Sequence, residues 1–233
     1  MIGDKNSDPQ VYMTDYVEPI LSILCDLAKS LRPHGKMLNE RYLHHEFTRR
    51  LQIGENLLRL CSPGQDPCLH LEWPTYKEAT GLTEYGRYRK GDGAYLPHPE
   101  GTAGFIDFAL GDYQSPSIGI EFYLGDGWVH EHAIFDWLKL LDKANPFRVG
   151  ISFNVIVRPN KLAQGGRLTR LEARMNGAFD EAVARLNQYA ELCDSTREFH
   201  CIIAEIDAQG ARRHWHIRGL QGPFLPGLPD IDC

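Results

Sequence analysis

IGIEFYLG, residues 118–125, is an apolar run that carries a single acid. Read as a strand, it alternates: Ile118, Ile120, Phe122 and Leu124 face one way, and Gly119, Glu121 and Tyr123 face the other. The apolar set is suited to packing on a layer of helices. Just upstream, GFIDFAL (residues 104–110) reads as a second strand, joined to the first by the turn-like GDYQSPS. There Ile106, Phe108 and Leu110 share a face, and Asp107 lies opposite with Phe105 and Ala109. Each strand thus sets one carboxylate among apolar neighbours. A charged carboxylate enclosed in that way is costly unless it is paired, hydrogen-bonded or bound to a metal.

Working outward, the N-terminal segment repeats apolar residues at helical spacing (Val17, Ile20, Leu21, Leu24, Leu27, Ala28, Leu31), with Pro19 near its start and Pro33 after its end. Asn39 is an N-cap for a second helix carrying Leu43, Phe47 and Leu51, and Leu57, Leu58 and Leu60 extend that packing. CLHLEW is a short strand. The polar stretch from Pro74 to Gly104 is long for a connection, so it holds a hairpin or a functional loop. Within it, GDGAYLPHPEGTAG reads as loop, because it lacks the Lys-Ser/Thr ending of a phosphate loop. After the two central strands come a helix over 130–144, the strand RVGISFNVIV, a long helix over 168–193 and the strands FHCIIAEID and RRHWHI. Helices on both faces of a mixed sheet are expected, in an α/β fold. The whole chain reads as one domain, with an irregular tail over 219–233.

The 233 residues suit one sizeable core, and 42% hydrophobic with 24% charged residues is an ordinary globular mixture. The start lacks a secretory signal and no apolar run approaches a membrane span, so a cytoplasmic protein with no membrane partner is expected. Six cysteines without a CxxC pair indicate neither a zinc knuckle nor a disulfide framework and are expected to stay reduced. A formal net charge of −6 argues against non-specific coating of nucleic acid. Local basic patches remain: Arg87, Arg89 and Lys90 interleaved with Tyr85 and Tyr88, and Lys161, Arg167, Arg170 and Arg174. His130 and His132, with His44 or His45, form a competing zinc set, although i, i+2 spacing fits a strand better than the helix expected there.

Two carboxylates on adjacent strands suit Mg²⁺, which takes one or two carboxylates and keeps water and phosphate oxygens for the rest. The plainer alternative is that Asp107 and Glu121 make salt bridges at the sheet edge. With Asp107, Glu121-Phe122-Tyr123 and the order helix, three strands, helix, strand over about 39–158, the chain resembles the PD-(D/E)XK, or restriction-endonuclease-like, nuclease superfamily. The resemblance implies a restriction-endonuclease-like core with an additional N-terminal helix and C-terminal additions over 168–217. It also implies a Mg²⁺- or Mn²⁺-dependent nuclease acting on nucleic acid, DNA ahead of RNA. Asp107 and Glu121 would hold the metal with Glu40 or Glu46 from the helix before the motif, and Arg87, Arg89 and Lys90 would contact phosphates.

Tyr123 stands where the family has lysine, and a neutral phenol supplies no positive charge. Lys139, in the stripe His132, Asp136, Lys139, Lys143 and within DWLKL, resembles the lysine that some members carry on the following helix. Tyr123 and Lys139 together would position water and stabilise the transition state. The rival expectation is a nuclease-like fold that has lost cleavage and binds nucleic acid or another protein. A homodimer or a protein partner is a separate expectation.

Overall fold

The computed structural model describes residues 16–32, 38–53, 69–75, 87–91, 94–98, 100–126, 130–158, 168–188, 193, 197–207 and 212–218. Helix α1 (Val17–Ser30) buries the apolar stripe read from its sequence. Helix α2 (Glu40–Ile53) starts where Asn39 Oδ1 accepts the Tyr42 N–H at 2.9 Å, so the expected cap is present. The strands are β1 (Leu69–Pro74), β2 (Arg87–Gly91), β3 (Ala94–Pro97), β4 (Thr102–Ala103), β5 (Phe105–Gly111) and β6 (Pro116–Gly125). Helix α3 (His130–Leu141) leads to β7 (Val149–Arg158), helix α4 (Leu168–Asn187), β8 (Glu198–Asp207) and β9 (Arg212–Arg218).

Six strands form a mixed sheet in the order β1-β5-β6-β7-β8-β9. Pairs β1–β5, β5–β6 and β8–β9 are antiparallel, while β6–β7 and β7–β8 are parallel. The parallel pairs follow from the helices α3 and α4 between their strands, since only a crossover can return the chain in the same direction. One face buries Phe108, Ile120, Phe122, Ile151 and Phe153 against α1 and α2. The opposite face buries Ala109, Phe199, Cys201 and Ile203 against Trp137 of α3 and Phe179 of α4. The fold is thus α/β, a mixed sheet with helices on both faces.

Four readings need correction. GDGAYLPHPEGTAG is not simply loop: its residues supply β3 and β4, which pair with β2 in a separate three-stranded sheet. Ile106 does not share a face with Phe108 and Leu110; it packs with Trp73 in the opposite core. The long helix stops at Asn187, and Cys193 instead bridges to Asp142. Cys25 is disulfide-bonded to a partner outside the described residues, whereas Cys193 and Cys201 keep free thiols. Leu57, Leu58, Leu60 and the tail also lie outside the described residues. No helix among the described residues is long and apolar enough to cross a membrane.

A buried polar network explains why α3 ends at Leu141 rather than continuing to Ala144. Asp142 Oδ1 accepts the Ala144 N–H at 2.9 Å, which turns the chain. Arg197 donates to the carbonyls of Leu140, Asp142 and Asn145, satisfying oxygens that a helix end leaves open. Tyr88 donates its hydroxyl proton to Asp142 at 2.9 Å, and Asn145 donates to the Lys139 carbonyl at 2.7 Å. Burial pushes the Asp142 carboxyl up to about 7, against the lowering effect of the Ala144 N–H and the Tyr88 hydroxyl.

A carboxyl raised in the folded state binds its proton more tightly there than in the unfolded chain, where it titrates near 3.8. Its contribution is fully present below that value and is lost as pH rises through about 7. Urea denaturation at pH 5 and pH 8 should therefore show lower stability at pH 8, with a smaller difference in Asp142→Asn. An unchanged difference in that variant would remove Asp142 as a source of the pH dependence.

Candidate functional site

The site begins where β5 and β6 part. Their ladder runs from Gly111 opposite Pro116 to Phe108 opposite Ile120 and goes no further. At the next position the Phe122 N–H donates to the Asp107 carboxylate at 2.7 Å, so a side chain takes the place of a ladder carbonyl. The other side of β5 is irregular at the same level. Glu72 of β1 falls between the pairs Leu71–Phe108 and Trp73–Ile106 and has φ 48°, a left-handed conformation that costs energy for a residue with a Cβ. This break in regularity is also where Ile106 leaves the face of Phe108.

The separation opens a cavity of about 340 Å³ lined by Asp107, Glu121 and Tyr123 from the sheet, Glu40 from α2, and His132, Asp136 and Lys139 from α3. Phe135 and Tyr95 form an aromatic wall, their rings stacked 4.0 Å apart. Alternation along β6 is as read: Phe122 enters the α1/α2 core, while Glu121 turns toward α3. Because β6 lies between β5 and β7, Glu121 is interior, not at a sheet edge.

Lys139 is 4% exposed and extends its stem over Gly104, where an added Cβ would come within 2.9 Å of the lysine Cδ. Its ammonium donates to the Phe105 carbonyl at 2.8 Å and lies 2.5 Å from Glu121 Oε1 and 3.1 Å from Asp136 Oδ1. It also sits 4.7 Å from the centre of the Phe135 ring. Thr75 braces this floor, since its N–H donates to the Gly104 carbonyl at 2.9 Å and the Gly104 N–H donates to its hydroxyl at 3.0 Å.

Four carboxylates and one lysine line this cavity. Burial would lower the Lys139 pKa, but Glu121 and Asp136 outweigh it and hold the ammonium above its ordinary value. Burial raises Glu121 well above the usual carboxylate range, with Asp136 and Asp107 adding to the rise and Lys139 opposing it. Asp136 is raised by burial as well. Glu40 rises through burial and the nearby Asp107. Asp107 goes the other way: burial would raise it, but the His44 imidazole, the Phe122 N–H and Lys139 hold it below its ordinary value.

The residues expected at a site are only partly gathered here. Asp107, Glu121, Tyr123, Lys139 and Glu40 all reach the cavity. Glu46 does not line it and pairs with Arg49 and Arg50 on its own helix. Arg89 and Lys90 are exposed on β2, outside the lining; Arg89 faces Glu100 at 3.9 Å, and Lys90 lies over the Tyr95 ring. Tyr88 is buried in the core, not interleaved on a basic surface. Lys143 is exposed beyond the end of α3, so the expected stripe is divided. Arg174 is exposed on α4, while Lys161, Arg167 and Tyr85 lie outside the described residues.

The zinc set does not assemble, because His130 pairs with Glu181 of α4 at 3.0 Å. His44 instead joins Glu40 and Asp107, the donor atoms of all three lying within 4.8 Å of one another. The signal for this was the i, i+4 spacing of Glu40 and His44, which puts both on one side of a helix. No protein-family model matches the chain, and no curated protein or solved structure matches it.

Removing one partner of a buried ion pair leaves the other charge without compensation and costs about 3–5 kcal/mol. Lys139→Met should lose stability in that range at pH 8 by urea denaturation. The double variant Lys139→Met with Glu121→Gln should recover part of the loss. If the two substitutions simply add, Lys139 is not what compensates Glu121.

Proposed function

We propose that the protein is a divalent-metal-dependent phosphodiesterase acting on nucleic acid, with a restriction-endonuclease-like core. The observation that carries this reading is the Lys139 ammonium at the Glu121 carboxylate, in one cavity with Asp107. It supplies the positive charge that Tyr123, as a neutral phenol, does not. The order α2, β1, β5, β6, α3, β7 supports the core assignment, with the β2–β4 sheet inserted between β1 and β5.

Asp107 would hold the metal with Glu40, and Glu121 would join them at the inner end of the cavity. The donors present fit a hard or borderline divalent ion: clustered carboxylates, one held in its ionised form, carry more negative charge than Lys139 offsets. Bound there, Mg²⁺ or Mn²⁺ would polarise a phosphate oxygen and favour ionisation of water. Hydrolysis forms a bond from the water oxygen to phosphorus as the water gives up a proton, and breaks the bond to the leaving sugar oxygen, which takes one up.

Lys139 stays protonated across the neutral range, so its role is to stabilise charge on the phosphate rather than to remove a proton. Glu121, whose burial makes it bind a proton more tightly than an ordinary carboxylate, is the better proton acceptor. Tyr123 lines the cavity beside His132 and would orient water through its hydroxyl. Arg87, Arg89 and Lys90 on the adjoining small sheet would track the phosphates beyond the scissile one, DNA being preferred to RNA.

The test is cleavage of single- and double-stranded DNA and RNA with Mg²⁺ or Mn²⁺, by wild type and by Glu121→Ala, Lys139→Ala and Lys90→Ala, each checked for folding by circular dichroism. Cutting should vanish in Glu121→Ala and fall about a hundredfold or more in Lys139→Ala. Lys90→Ala should lose far less. Equal losses in the two lysine variants would sink the assignment of Lys139. A wild type that cuts nothing yet binds nucleic acid with salt-dependent affinity would favour the rival binding module, which Tyr123 already suggests.

A further inference from the structure

We infer that His44 completes a carboxylate–imidazole cation site with Glu40 and Asp107, and that this site selects a first-row transition-metal ion over Mg²⁺. The inference deepens the proposed function and rests on its reading of the cavity as a cation site.

Glu40 and His44 lie one turn apart on α2, and Asp107 meets them from β5. His44 Nε2 is 3.6 Å from Asp107 Oδ2, just beyond hydrogen-bond distance. That nitrogen is shielded from solvent and makes no hydrogen bond. The imidazole is held edge-on by Phe108 at 5.0 Å and by Phe122 at 5.1 Å, so its direction is set by packing. A shielded polar atom that makes no hydrogen bond is costly, and a ligand can recover that cost.

Glu121, by contrast, is 3% exposed and already has its counter-ion, with Oε1 2.5 Å from the Lys139 ammonium. With Lys139 already at Glu121, the three donors nearest one another are Glu40, His44 and Asp107, and Glu121 stands behind them.

Donor chemistry then sets the preference. Mg²⁺ takes oxygen ligands and sheds water reluctantly. An imidazole nitrogen adds affinity for transition-metal ions, while the two carboxylates remain suited to Mn²⁺. Mn²⁺ is therefore the probe, with Mg²⁺ as its competitor.

Calorimetric titration of the full chain without nucleic acid should give Mn²⁺ binding about tenfold or more tighter than Mg²⁺. In His44→Gln that preference should collapse through loss of Mn²⁺ affinity. Pulsed electron paramagnetic resonance of the wild-type Mn²⁺ complex should show nitrogen modulation from a bound imidazole, retained in His45→Ala and absent in His44→Gln. Because the wild-type spectrum is informative by itself, an unfolded variant would not protect the inference. Equal affinity for the two ions, no binding of either, or a wild-type Mn²⁺ complex without nitrogen modulation would overturn it. Nitrogen modulation in a protein that cleaves no nucleic acid would leave this site standing and remove the nuclease reading. Cleavage without nitrogen modulation would do the reverse.

Discussion

A single buried ammonium, that of Lys139, is the constraint around which this cavity is built. A charge out of contact with water must be matched by nearby opposite charge and by acceptors. Glu121, Asp136 and the Phe105 carbonyl provide that match from β6, α3 and β5. Each places a demand on its neighbourhood. Gly104 must lack a side chain so that the lysine stem can pass, and Thr75 holds the Gly104 backbone on both of its polar groups. Helix α3 must sit at one depth, which Trp137 secures by donating to Ser152 and which Arg197 and Asn145 secure at its end. Sheet regularity gives way at the same place, where β5 and β6 separate and Asp107 takes the Phe122 N–H.

One ammonium does not balance the carboxylates gathered around it. Burial, with neighbouring carboxylates adding to it, makes Glu40, Glu121 and Asp136 hold protons more tightly than usual, whereas Asp107, with an imidazole and a backbone N–H beside it, stays ionised. A divalent cation would relieve the excess of negative charge, and the proposal of a metal-dependent site rests on that. The division of labour follows from position. Lys139 and Glu121 form the inner end, tied to the sheet. Glu40 and His44 form the α2 side, with Asp107 between the two groups.

Much of the scaffold was legible because the signals were local. The alternation in β6, the stripe of α1 and the Asn39 cap depend on residues a few positions apart, and they hold. Other features depend on which segments meet. Glu40 and Glu46 were equal candidates from sequence, and the rotation of α2 against the sheet set only Glu40 into the cavity. His44 was weighed as a zinc ligand with His130 and His132, but α3 and α4 draw His130 away to Glu181. Tyr88 looked like part of a basic surface until the small sheet folded it onto Asp142.

Sequence by itself determined the order of the helices and of the strands of the six-stranded sheet, the two-faced strand with Glu121 on its polar side and a lysine two turns into α3. These follow from periods of two and 3.6 residues, which the chain carries wherever it folds. Tertiary structure alone decided that Lys139 reaches Glu121, that the strands part at Asp107, and that His44 comes within reach of Glu40 and Asp107. Those outcomes depend on the depth and angle at which α2 and α3 pack on opposite faces of the sheet. That packing is set by the whole core at once, and no short window of residues contains it.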